Sequence, residues 1–146
     1  MQVDFYHLTL MPLDRALPRI AERVVEGGGR LLIVSESETQ RGLLDKLLWS
    51  YAADSFLPHA QAGAGSDTVQ PVLIAGEASA GNEARNIALV DGVWRDDALG
   101  FDRVFHFFDE ERIVEARQAW KSLAEREGVE RRYWKQNEQG RWEQAA

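Results

Sequence analysis

Cysteine is missing from this chain altogether, which removes disulfides and thiolate metal sites from consideration and agrees with a reducing compartment. No stretch approaches the roughly 18 consecutive apolar residues that a membrane-spanning helix requires. The first ten residues, MQVDFYHLTL, lack the basic start and apolar run of a secretory leader, so the expected location is the cytoplasm. Basic residues are in the minority, 17 against 24 acidic ones, for a net charge of −7. Such a balance repels phosphate backbones unless the cations are locally concentrated, so no direct nucleic-acid partner and no membrane partner is expected. Internal repeats and low-complexity tracts are absent as well.

What the sequence does hold is enough apolar material for one core. Its 146 residues, 45% hydrophobic with five tryptophans and six phenylalanines, fit a single domain over 1–146. VDFYHLTL (3–10) is β-branched and aromatic, a first strand. Leu13, Leu17, Ile20, Ala21 and Val24 recur at spacings of three and four, which predicts a helix with one apolar face, ended by the glycines of EGGGR (26–30). Pro12 suits the helix start; Pro18 sits in the first turn or kinks the helix. RLLIVS (30–35) is a continuous apolar run, as in a strand covered on both faces. Ser37 can then cap a helix whose buried stripe is Leu43, Leu44, Leu47 and Leu48.

The second half repeats the alternation. HAQAGAGSDTVQ (59–70) reads as an exposed loop, and PVLIAG (71–76), ARNIALVDG (84–92) and FDRVFHFF (101–108) as strands. DEERIVEARQAWKSLAEREG (109–128) predicts the longest helix, with acids at its start and Gly128 at its end. ERRYWKQ (130–136) and GRWEQ (140–144) follow as a terminal strand and a tail. The order predicts a three-layer α/β/α fold on a mainly parallel, Rossmann-like sheet.

Such a sheet invites a nucleotide, yet SESETQRG and GEASAGNEA, which follow two of the strands, contain neither G-x-x-x-x-G-K-[ST] nor G-x-G-x-x-G. The triple glycine at 27–29 precedes a strand, the wrong end for a phosphate cradle. His7, His59 and His106 have no ligand spacing, and Ser35, Ser37 and Ser55 lack a nucleophile elbow. No catalytic residue, metal or cofactor is expected.

A binding surface survives this inspection. Arg117, Trp120 and Lys121 stand at i, i+3 and i+4 on the last long helix, two cations beside an indole, with Ile113 and Ala116 along the same side. One reading buries Trp120 while the cations snorkel outward. The other is a pocket for a short acidic peptide with an apolar end.

The run from RLLIVSES through LLDKLLWSYAADSFLPHAQAGAG to PVLI and EARQAWKSL resembles the chi-subunit family of the bacterial DNA polymerase III holoenzyme over nearly the whole chain. The resemblance implies a clamp-loader accessory subunit without an active site. It also implies an α/β/α fold that holds no nucleotide, and a partner in the acidic C-terminal tail, ending in Pro-Phe, of the single-stranded DNA-binding protein. Arg117, Trp120 and Lys121 match the tail-binding helix, with Trp120 where family members often have Tyr. Some members carry a further basic residue one turn earlier, where this chain has Ile113. Phe56 and Leu57 of SFLPH match the contact with the psi-type clamp-loader partner, a face that can also serve a repair helicase. Two rival readings stand beside this one. The first is a nucleotide-binding α/β enzyme with diverged phosphate loops. The second is a nucleic-acid binder using Arg131, Arg132, Tyr133, Trp134 and Lys135, which alternating exposure on an edge strand explains more simply.

Overall fold

The continuous apolar runs become the middle of a sheet. A computed structural model of the chain describes residues 1–51, 57–79 and 81–146. Its elements are β1 (Gln2–His7), α1 (Leu13–Glu26), β2 (Leu31–Val34), α2 (Glu38–Ser50), β3 (His59–Gln61), β4 (Val72–Ala75), β5 (Asn86–Leu89), β6 (Arg103–Phe108), α3 (Ile113–Leu123), β7 (Glu130–Gln136) and β8 (Trp142–Gln144). Among the described residues the strands form one eight-stranded sheet in the order β3-β4-β2-β5-β6-β1-β7-β8. Every pairing is parallel except the last, β7 with β8.

The two faces of that sheet carry separate cores. Ala16, Leu17, Ile20 and Ala21 of α1 and Leu44 and Leu48 of α2 pack on one face against Ile33, Ile74, Phe105 and Phe107. Ala116, Ala119 and Leu123 of α3 pack on the other against Val3, Phe5, Leu32 and Val104. β2 and β4 are buried at every position, which is why their sequence shows no alternation. The three-layer α/β/α reading is therefore correct.

Local signals act as expected at several joints. The Ser37 hydroxyl accepts from the Gln40 amide at 3.1 Å and caps α2, satisfying one of the free N–H groups at the helix start. Gly28, at φ +82°, ends α1 in the left-handed region that only glycine enters at no steric cost.

Four details differ from the sequence reading. Leu43 is 61% exposed; the buried stripe of α2 is the i, i+4 pair Leu44 and Leu48, and Leu43 falls one step round the helix from it. Pro18 lies inside α1, past its first turn, and is buried. α3 has 11 residues and α1, with 14, is the longest helix; beyond Ala124 the sequence EREG offers no apolar group to the sheet. Finally, both HAQ and WEQ are strands. They are too short and polar to show a period, and they form because β4 and β7 would otherwise present unpaired edges.

Candidate functional site

α3 crosses from β6 back to β7 and lies over β1, so its sheet-facing side meets Phe5 and Tyr133. Trp120 sits at the margin of that contact, half buried. Its ring stands edge-on to Phe5, 5.4 Å between centroids, and to Tyr133, 5.6 Å. The Arg131 guanidinium lies over the indole at 4.1 Å, and its Nη1 donates to the Trp120 carbonyl at 2.6 Å. Arg117 and Lys121 are exposed on the outer side of the helix.

The electrostatics of this corner are mixed but mainly positive. Burial raises the pKa of the Tyr133 hydroxyl; Arg117 pulls it down and Glu110 pushes it up, so one cation and one carboxylate both act on that ring. Lys135 Nζ stands 5.9 Å from the Tyr133 centroid, a further cation on the same side. An indole and a phenol braced by Phe5 and flanked by cations can seat an apolar residue and a neighbouring carboxylate together.

Of the residues singled out in the sequence, Arg117 and Trp120 are thus brought to one corner, and Lys121 follows on the same helix. Arg131 belongs to this corner too, although ERRYWKQ reads as a single basic, aromatic strand. The period of two divides that strand. Arg131, Tyr133 and Lys135 face α3, whereas Arg132 and Trp134 reach the opposite face and bond to Asp4. β7 is also an internal strand, paired on both sides, so the edge-strand explanation of its alternation does not hold.

Of the second pair of candidates, Leu57 lies on the other side of the sheet. Phe56 falls outside the described residues. Leu57 is 3% exposed and fills the core with Leu44 and Leu48. His59, just after it, is tied in place, with Nδ1 2.7 Å from the Leu57 carbonyl and Nε2 2.9 Å from the Asp45 carbonyl. Trp49 tilts against the His59 ring at 4.6 Å and stays 53% exposed, a large apolar surface at the end of α2.

At the carboxyl ends of the strands, where doubly wound folds hold nucleotides, the chain forms a crevice of about 850 Å³. Its lining includes the carboxylates of Glu36, Asp91, Asp109 and Glu111 against the single guanidinium of Arg112. Asp91 accepts from the Glu36 and Val93 amides and from both terminal nitrogens of Arg95. Gly92 closes the turn at φ +77°, and a Cβ there would meet Arg112 Cγ at 2.6 Å. An acid-lined crevice opposes a phosphate, which weighs against the nucleotide-binding reading. Among the described residues no group of three or more His, Cys, Asp or Glu is placed to hold a metal ion, and no helix is long and apolar enough to cross a membrane.

Comparison with known proteins agrees with the resemblance. A family model described as "DNA polymerase III chi subunit, HolC" matches residues 1–130. The DNA polymerase III subunit chi of Escherichia coli (strain K12) is 32% identical over 116 residues, covering 77% of this chain and 79% of that relative.

Proposed function

This chain belongs to the DNA polymerase III chi-subunit family, and from that premise we propose that it is a non-catalytic accessory subunit of the clamp-loader complex. Its α3 corner takes the acidic C-terminal tail of the single-stranded DNA-binding protein. The observation that carries this reading is the half-buried Trp120, braced by Phe5 and Tyr133 and covered by the Arg131 guanidinium, with Arg117 and Lys121 exposed on the same helix. On a chain of net charge −7, that concentration of cations beside an aromatic wall selects a short acidic segment with an apolar end. Arg131 takes the place of the basic residue that Ile113 does not provide.

A fluorescence-anisotropy titration with a labelled acidic peptide ending in Asp-Ile-Pro-Phe tests it. Saturable binding is expected in the micromolar range, lost when the final Phe is removed. Arg117→Ala and Lys121→Ala should each weaken it about tenfold, equivalent to about 1.4 kcal/mol. A folded protein that ignores the peptide, or variants that bind it as well as the parent, would sink the reading.

The psi-type partner is assigned to Phe56, as the family resemblance implies. There the two candidates should separate. Phe56→Ala is expected to abolish capture of a psi-type subunit in a pull-down while the melting temperature holds. Leu57→Ala should instead cost about 3 kcal/mol of stability, because it empties a packed site. A loss of stability in Phe56→Ala as large as in Leu57→Ala would remove Phe56 from the interface and assign it to the core.

A further inference from the structure

The face of the sheet opposite α3 holds a second concentration of cations, independent of the tail-docking corner. α1 leaves the β1, β7 and β8 end of that face uncovered, and a cleft of about 300 Å³ opens there. Tyr6, Trp134 and Trp142 supply its aromatic walls, and Arg19, Arg23, Arg103 and Arg132 its charge; among the described residues no acidic side chain lines it. Tyr6 stacks against Trp134 at 6.2 Å and meets Trp142 edge-on at 5.2 Å. Tyr6, Arg23 and Arg103 also line a second cavity of about 310 Å³ that reaches Gly29 and Asn86.

Beneath the cleft lies Asp4, fully buried. Its carboxylate accepts from Gln2 Nε2 at 2.8 Å, Trp134 Nε1 at 3.0 Å, Arg132 Nε at 3.1 Å and Arg103 Nη2 at 3.2 Å. One negative charge thus anchors two guanidiniums and leaves the site with a net positive charge. Arg132 uses only Nε on Asp4, and among the described residues its Nη groups make no hydrogen bond. The side chains of Arg19 and Arg23, exposed at i and i+4 on α1, make no hydrogen bond or ion pair among those residues either. Burial and Asp4 raise the pKa of the Tyr6 hydroxyl while Arg103, Arg132 and Arg23 pull it back, so three cations act on one ring.

We infer that this cleft binds a short stretch of single-stranded nucleic acid, with bases on Tyr6, Trp134 and Trp142 and phosphates on Arg19, Arg23 and Arg132. Guanidinium forks match phosphate oxygens, and aromatic faces accept any base, which together make a sequence-tolerant strand site. An acidic peptide with a single apolar end residue would cover one of the three aromatic walls and leave the other two bare. The net charge of −7 does not oppose this, because the arginines come from α1, β6 and β7 to one place and Asp4 is withdrawn among them. Three aromatic walls in one cleft, more than one base can stack on, favour a strand over a free nucleotide.

The test is an anisotropy titration of the full chain with a labelled oligodeoxythymidylate of about ten nucleotides. With about three phosphates neutralised, log K should fall against log salt with a slope of about −2, so affinity drops about fifteen- to twentyfold between about 50 and 200 mM salt. The double variant Arg19→Ala and Arg23→Ala, which removes no side-chain hydrogen bond or ion pair among the described residues, should lower affinity at least about tenfold and flatten the slope. Trp142→Ala should weaken binding about fivefold with the slope retained, because stacking is lost and charge is not. Arg117→Ala should bind the oligomer unchanged, and the double variant should keep its affinity for the acidic peptide, so the two sites fail or stand separately. Absence of saturable binding, or binding that survives the double variant, overturns the inference. Equal binding of polyglutamate overturns it in favour of an acidic polypeptide, and equal binding of thymidine monophosphate in favour of a free nucleotide.

Discussion

Phe5→Ala should lower stability by about 4 kcal/mol, the cost of emptying a fully buried aromatic site, and reduce the melting temperature by about 12–16 °C in a domain of this size. Phe5 has no exposed surface and is the hub of the aromatic cluster on the α3 face. Trp94, His106, Phe108, Trp120 and Tyr133 all lie within 6.4 Å of its centroid. Removing it withdraws dispersion contacts from five rings at once, and β1 is too tightly paired on both sides to collapse into the gap. The variant should also bind the acidic tail peptide more weakly below its melting point, because Trp120 loses the ring that sets its orientation. Thermal denaturation followed by tryptophan fluorescence measures the first effect and the peptide titration the second. A loss under about 1 kcal/mol would mean that these rings do not bear on one another as described.

Acidification should destabilise the protein through His106. This ring is fully buried among Phe5, Trp94 and Phe108, and among the described residues neither of its nitrogens has a hydrogen-bond partner. Burial lowers its pKa from 6.5 to about 3, with Asp91 opposing and Arg95 reinforcing the shift. Above pH 6.5 the ring is neutral folded and unfolded, and contributes no pH dependence. As pH falls from 6.5 towards 3 the unfolded chain takes up a proton that the folded one refuses, so stability is lost across that window. By pH 5 the loss from this residue is about 2 kcal/mol. Urea melts at pH 7 and pH 5 on the parent and on His106→Phe isolate it: the variant should lose about 2 kcal/mol less than the parent between those values. Equal pH dependence in the two proteins would show that His106 protonates in place.

The order of strands and helices was legible because it is written in local chemistry. A four-residue run such as LLIV is compatible with a strand buried on both faces whatever lies elsewhere, and Ser37 caps a helix through an amide three residues away. The pair Arg117 and Trp120 was legible for the same reason, since helical spacing alone places them together. Leu43 was misplaced because four leucines in six residues fit more than one stripe, and only the angle at which α2 meets the sheet chooses between them. β3 and β8 were hidden because a three-residue strand has no period and is made by its neighbour.

The sequence by itself determined the class of fold, the grouping of Arg117 and Trp120 on one side of α3, and the lack of phosphate loops, all features set by contacts within a few residues. Tertiary structure alone decided which side of the sheet each residue of β7 serves. It sent Arg131 to Trp120 and Arg132 to Asp4, 128 positions away in sequence. It also gathered Arg19 and Arg23 of α1, Arg103 of β6 and Arg132 of β7 into one cleft, on a chain whose total charge points the other way. The physical reason is that total charge and strand period carry no information about which helix covers which face. That choice follows from the pairing of β7 with β1 and from the burial of one carboxylate, Asp4, which can leave water only where several donors converge on it.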